Sequence, residues 1–335
     1  MTIICFFNHK GGVGTTSLVY HLAWQLSELG YGVVAADLDP QASLSTMFLD
    51  EEELVALLEA GDAARTIYRA VQPLAREGDI EALVPTTFGD RLALIPGDIG
   101  LSAFEGCLSE SWIECLGQER RPFAVVTALY RVLRDVAATT RADVVLVDVG
   151  PALGAINRAA LLAADHVVVP VGADPFALHG LRHLGPGLAA WREGWSRRLE
   201  HFAETHAGDT LELPRGAMQP AGYVATQPSR PRPAPGQTYR NWLERVPDVY
   251  LRHVLGELTA DVPALEEDGN CLARLKHYPS LMLMGLQARK PIFDLTPADG
   301  AIGAHVYAAR DSAREFRALA EAIVRRCQIQ RSEES

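Results

Sequence analysis

The sequence has 335 residues, with 31 Lys+Arg against 42 Asp+Glu and a formal net charge of −11. At 48% hydrophobic and 22% charged it excludes a chain that is disordered as a whole, and its acidic balance argues against a broadly basic nucleic-acid surface. No stretch approaches the ~20 uninterrupted apolar residues of a membrane span. The five scattered cysteines (Cys5, Cys107, Cys115, Cys271, Cys327) form neither a disulfide framework nor a zinc spacing, which suits a reducing, cytoplasmic setting.

Residues 2–7 form an apolar run without a basic leader, which predicts a first β-strand rather than a signal peptide. A helix is expected over 16–29, then strands over 32–37 and 91–95. A helix over 124–138 leads to a strand over 143–148, a helix over 156–164 and a strand over 166–171. A long helix over 178–202, a strand over 221–226 and a final helix over 302–327 complete the series. The strands are rich in Val and Ile and mostly lack polar alternation, as strands covered on both faces do. Their alternation with helices predicts an α/β fold: a doubly wound, mostly parallel sheet flanked by helices on both faces. Residues 1–330 are expected to form a single domain. Within it, 227–236 holds four prolines and predicts an extended surface loop, which Arg230 and Arg232 would suit to partner docking. Residues 331–335 predict a polar tail.

The strongest chemical signal is Lys10-Gly11-Gly12-Val13-Gly14-Thr15-Thr16-Ser17, which joins the first strand to the first helix. Closely spaced glycines let backbone N–H groups converge on phosphate oxygens, and the helix N-terminus adds partial positive charge. Residues Gly11 to Ser17 are therefore candidates for holding a nucleotide's phosphates, with the Thr16 hydroxyl placed for Mg²⁺. A phosphate loop would ordinarily carry lysine at position 15, and here that residue is Thr15. Asp37 and Asp39 close one predicted strand and Asp148 another, so their carboxylates should emerge where doubly wound folds bind ligands. Carboxylates there suit hard-cation coordination and the positioning of an attacking water. Each Asp taken alone reads as a turn or helix cap; three in register with a phosphate loop read as a site.

These residues resemble the ParA/MinD family of ATPases, in the SIMIBI class of P-loop NTPases, and Lys10-Gly11-Gly12-Val13-Gly14 is similar to that family's deviant Walker A motif. Asp37-Leu38-Asp39-Pro40-Gln41 resembles the switch I segment, Val144 to Asp148 the Walker B strand, and Val149 to Leu153 the switch II turn. Ala163 to Pro170 with Phe176 to Leu181, and Ala288 to Asp294 near the C-terminus, resemble later family segments. The resemblance implies that Lys10 is a signature lysine reaching the nucleotide of a partner subunit. It further implies that Asp39 positions the lytic water, that Asp37 supports Mg²⁺ and its waters, and that Asp148 is the Walker B acid. ATP or ADP with Mg²⁺ is the implied cofactor, and a homodimer closed by ATP the implied assembly. Thr15 is the departure, because removing an ammonium beside the β- and γ-phosphates weakens charge neutralisation in the transition state. Some ParA-like relatives, including accessory proteins of bacterial cellulose secretion, resemble this chain in carrying Thr there.

The implied function is a slow or impaired ATPase switch in cargo or DNA partitioning, with a non-hydrolysing nucleotide-gated scaffold as the alternative. A small-molecule ligase of the same fold class would need a substrate pocket that the sequence does not display. A ParB-like or cargo adaptor protein is an implied partner. Non-specific DNA is a candidate through Arg192, Arg197, Arg198, Arg310, Arg314 and Arg317, which read equally as a solvated helical face. Nucleoid association would follow from DNA binding. Residues 327–335 are too polar and acidic for an amphipathic membrane tail, and no helix-turn-helix segment is expected ahead of the first strand. The cluster-binding iron proteins of the same class are set aside because no cysteine lies within 148–162. His179 and His183, four residues apart, would bind metal only with a third ligand and read as a helix-surface pair.

Overall fold

The computed structural model describes residues 1–59, 65–227, 242–258 and 261–332. Its strands are β1 (Thr2–Phe6), β2 (Val33–Asp37), β3 (Thr86–Phe88), β4 (Leu92–Ile95), β5 (Val144–Asp148), β6 (His166–Gly172), β7 (Gln219–Gln227) and β8 (Cys271–Lys276). They form one sheet in the order β3-β4-β2-β5-β1-β6-β7-β8, in which β3 is antiparallel to β4 and every other pairing is parallel. The doubly wound α/β fold expected from the strand pattern is therefore present.

The helices are α1 (Thr15–Glu28), α2 (Ser43–Phe48), α3 (Glu51–Glu59), α4 (Ile67–Val71), α5 (Leu101–Glu114) and α6 (Arg121–Val126). They continue with α7 (Ala128–Thr140), α8 (Ala155–Ala163), α9 (Pro175–Thr205), α10 (Val246–Val249), α11 (Pro279–Ala288) and α12 (Ala304–Cys327). Two apolar clusters cover the two faces of the sheet. Ile3, Cys5, Val145 and Val147 point to one, with α5 to α9; Ile4, Phe6, Val144 and Leu146 point to the other, with α1, α2 and α12. Successive strand residues face opposite sides, so a strand covered on both faces must be apolar throughout. That is the pattern the central strands carry.

Two expectations are corrected. The helix expected over 124–138 is two helices, because Thr127 leaves the helical geometry (φ −96, ψ 4) and its hydroxyl donates to the Phe123 carbonyl at 2.7 Å. Gln227 ends β7 rather than beginning a loop, and the proline-rich residues 228–236 lie outside the described residues. The start of the expected polar tail is docked: the Arg331 guanidinium lies over the Tyr31 ring at 4.7 Å, and Ser332 donates through N and Oγ to Asp143 at 2.6 and 2.7 Å. Residues 333–335 lie outside the described residues.

The topology also places the chemistry. β1 pairs with β5 on one side and β6 on the other, so its C-terminal end opens where chain direction around the sheet reverses. In register, Asp148 stands opposite both Phe6 and Asp37.

Candidate nucleotide-binding site

Residues 7–14 carry the chain from β1 into α1. Gly12 and Gly14 hold left-handed backbone (φ +75 and +88), a conformation that costs glycine no Cβ clash. Gly14 is the N-cap of α1 and offers no side-chain cap, and the first turn has no acidic residue. The opening N–H groups of α1 are thus left to a ligand, and an anion is what they favour. They border a cavity of about 610 Å³ that also takes in Lys10, Asp39 and Pro151. It is lined further by Thr226, Lys276, His277, Met282 and Leu286, from the ends of β7 and β8 and from α11. Free amides bordering a cavity that also carries apolar side chains suit a nucleotide. The sequence showed the glycine-rich lining; the lining from β8 and α11 was missed, because neither element was expected.

Three carboxylates lie on the same edge. Asp37 is fully buried, and its Oδ2 accepts from the Ser45 amide and hydroxyl, both at 2.7 Å. A Cβ at Gly97 would sit 2.8 Å from the Asp37 Cγ, so Asp37 needs glycine there. Burial pushes the Asp37 carboxyl up to about 6, with the neighbouring Asp39 charge adding to the shift and Ser45 opposing it. Asp39 is half-exposed and accepts from the Gln41 amide at 3.0 Å. Asp148 is fully buried and neither of its carboxylate oxygens has a hydrogen-bond partner of normal geometry. Burial first, then the Asp37 charge, raise its carboxyl far above the ordinary range, and the nearby Thr16 hydroxyl only partly opposes this.

An unpartnered buried carboxylate is costly, and a bound cation would relieve it. Thr16, Asp37 and Asp148 present hard oxygen donors beside the phosphate-binding amides, so the residues present fit Mg²⁺. Because the Asp37 carboxyl is raised in the folded chain, its ionisation costs stability. Compared with Asp37→Asn, the unliganded protein should lose ~1–3 kcal/mol as pH rises from 4 through about 6, read by chemical denaturation. A cation held there would favour the ionised form, so Mg²⁺ affinity measured by calorimetry should fall as pH drops from 7 to 5. An affinity flat across that window would contradict the assignment.

Lys10 is held within its own chain. Its Nζ lies 2.5 Å from Asp174 Oδ2, while Asp174 Oδ1 caps α9 by accepting from Phe176 and Ala177 at 2.9 and 3.1 Å. The Lys10 amide donates to Asn8 Oδ1 at 2.9 Å, and Asn8 Nδ2 donates to the Pro170 carbonyl at 2.6 Å. A shallow groove beside Lys10 is lined by Leu153, His179, His183 and Phe176, the last 72% exposed. The His179 and His183 Nε2 atoms stand 3.3 Å apart on the α9 surface. Among the described residues, no three His, Cys, Asp or Glu side chains group as a metal site.

Of the DNA candidates, Arg198 is corrected. Arg198 is buried, 3.8 Å over the Trp112 ring, with Nε donating to the Trp112 carbonyl at 2.8 Å. Arg192 donates to the Met218 carbonyl at 3.2 Å. Arg197, Arg314 and Arg317 form solvent-exposed ion pairs with Glu193, Asp311 and Glu321 on their own helices, and Arg310 is also exposed. The sequence could not see the burial of Arg198, since stacking on Trp112 joins helices far apart in the chain. No helix among the described residues is long and apolar enough to cross a membrane.

A mostly parallel sheet whose first strand runs through a glycine-rich turn into an uncapped helix, with strand-end carboxylates alongside, defines a P-loop nucleotide-binding protein. A family model described as an AAA domain matches residues 1–200. The cell division protein PomZ of Myxococcus xanthus is 31% identical over 196 residues, which is 58% of this chain and 54% of that protein. The chromosome partitioning protein ParA of the same organism is 31% identical over 199 residues, 59% of this chain and 62% of that one. The chain thus spans little more than half the length of these relatives. Among solved structures, a Corynebacterium diphtheriae protein superimposes with a TM-score of 0.68 at 22% identity, covering 97% of this chain and 98% of that one. A putative plasmid partition protein of Borrelia burgdorferi bound to AMPPNP gives 0.56 at 19% identity, with coverage of 97% and 98%. These structures share the fold. The chain belongs to the ParA/MinD family of P-loop ATPases.

Proposed function

We propose that this protein is a ParA-like partitioning protein that binds ATP with Mg²⁺ in one nucleotide-binding domain and closes into a homodimer across its Lys10 face. The observation that carries this reading is the uncapped N-terminus of α1 set beside Asp148, whose buried carboxylate has no partner of its own. The amides of Gly11 to Ser17 would hold the phosphates. Thr16 and Asp148 would hold the cation directly or through water. Asp37, already engaged by Ser45, would support the cation's waters, and Asp39, the most accessible of the three, would position the attacking water. Lys10 would leave Asp174 when a second copy presents its nucleotide, and the exposed Phe176 and Leu153 beside it would be covered. The partition proteins among its relatives support a role in positioning a cargo, through a ParB-like adaptor or on DNA. Thr15 favours a second reading, a scaffold that closes on nucleotide without hydrolysing it.

Calorimetry with ATP, ADP and GTP plus Mg²⁺ tests the site. Adenine nucleotides should bind with a dissociation constant of ~100 μM or tighter, about −5.5 kcal/mol, and binding should weaken when Mg²⁺ is chelated. No heat from any nucleotide would refute the assignment.

A further inference from the structure

Helix α8 begins directly after the 149–154 turn that borders Asp39, and nothing local caps it. Its N-cap Gly154 has no side chain and its first turn has no acidic residue. Two of the N–H groups that such a helix start leaves free are taken by a residue fifty positions earlier in the chain. Glu105 on α5 accepts from the Ala155 amide through Oε1 and from the Ile156 amide through Oε2 at 2.9 Å. A carboxylate bridging two amides at a helix N-terminus gains from charge-assisted hydrogen bonds and from the helix dipole. A Cβ at 154 would lie 2.5 Å from Glu105 Oε1, so a larger residue there would displace the carboxylate.

The same helix holds the turn from its other side. The buried Asn157 side chain donates to the carbonyls of Gly150 and Ala152, both at 2.5 Å. Gly150 in turn packs on Asp39, where a Cβ would lie 3.1 Å from Oδ1. Glu105, the start of α8, Asn157, Gly150 and Asp39 are therefore a continuous series of contacts. Farther along, Arg158 of α8 lies 4.4 Å over the Trp112 ring of α5, which gives the two helices a second tie.

We propose that Glu105 is a positioning residue for the nucleotide switch: by holding α8 it sets the 150–153 turn beside Asp39, and so determines how well the site distinguishes ATP from ADP. The discrimination rests on the nucleotide reading above; the hold on the turn does not. The turn stands beside the carboxylate assigned to the attacking water, so its displacement should affect a γ-phosphate far more than the phosphates held by residues 11–17. A residue that merely stabilised the fold would weaken both nucleotides alike.

Two measurements on Glu105→Gln and Glu105→Ala test this. Amide hydrogen exchange without nucleotide should rise about tenfold (~1.4 kcal/mol) at the buried Gly150 of the turn as well as at Ala155 and Ile156, with Gln intermediate because one oxygen still accepts. Faster exchange confined to Ala155 and Ile156 would overturn the hold on the turn. By calorimetry, Glu105→Ala should weaken a non-hydrolysable ATP analogue about tenfold while ADP stays within about twofold, again with Gln between. Equal loss for both nucleotides, or loss for neither, would overturn the discrimination. A wild-type chain that binds neither nucleotide would overturn the nucleotide reading and the discrimination together. Should Glu105→Ala fail to fold, Glu105→Gln decides both measurements.

Discussion

Lys10→Ala should abolish ATP-driven dimerisation while leaving binding of ATP to the single chain within about threefold of wild type. In the single chain Lys10 is engaged by Asp174, and both side chains are about one-third exposed or less (33% and 26%). An ion pair that open to solvent is worth ~1 kcal/mol at most, so a partner's phosphates can displace it. The converse variant sharpens the test. Asp174→Asn keeps a cap on α9, since Asn caps as well as Asp, but removes the charge that holds Lys10. Sedimentation at fixed ATP should show Asp174→Asn shifted towards dimer and Lys10→Ala shifted to monomer. A dimer of equal strength in Lys10→Ala, with or without ATP, would mean that the interface is obligate and that Lys10 is no part of the switch.

Thr15→Lys should raise ATP turnover by ~10²–10³-fold, the effect of restoring one preorganised donor of positive charge to a developing anion, about 2.7–4 kcal/mol. The backbone already accommodates the change, because residue 15 opens α1 in ordinary helical geometry and its side chain is only half-buried. Asp39→Ala in the Thr15→Lys background should return turnover to the original level or below, since holding the attacking water is a separate task from neutralising charge. A rate unchanged by Asp39→Ala would reassign the catalytic carboxylate. A Thr15→Lys chain that binds ATP normally and stays inert would place the protein among nucleotide-gated scaffolds. Phosphate release measured over many turnovers distinguishes these outcomes.

What the sequence by itself determined depends mainly on neighbours along the chain. The apolar runs of β1, β2, β5 and β6 announced a sheet covered on both faces, because short Val- and Ile-rich runs without polar alternation, each bounded by turn residues, suit strands with no solvent face. The glycines at 11, 12 and 14 announced the phosphate loop, because left-handed backbone at Gly12 and Gly14 leaves few residue types available. Edge strands carry less of that signal. β3 has three residues and β8 reads Cys-Leu-Ala-Arg-Leu-Lys with one residue buried, so half-exposure made them resemble loop.

Only the tertiary structure decided how the site is held. Asp174 beside Lys10, Ser45 on Asp37, Glu105 on the start of α8 and Arg198 stacked on Trp112 all join residues that sequence spacing does not relate. Asp148 shows the division most clearly. Its place at the end of an apolar strand was legible, but that both its oxygens lack partners follows from the packing of every neighbouring element. A hydrogen bond is a property of two positions in space, and a sequence specifies the distance between them only after the chain has folded.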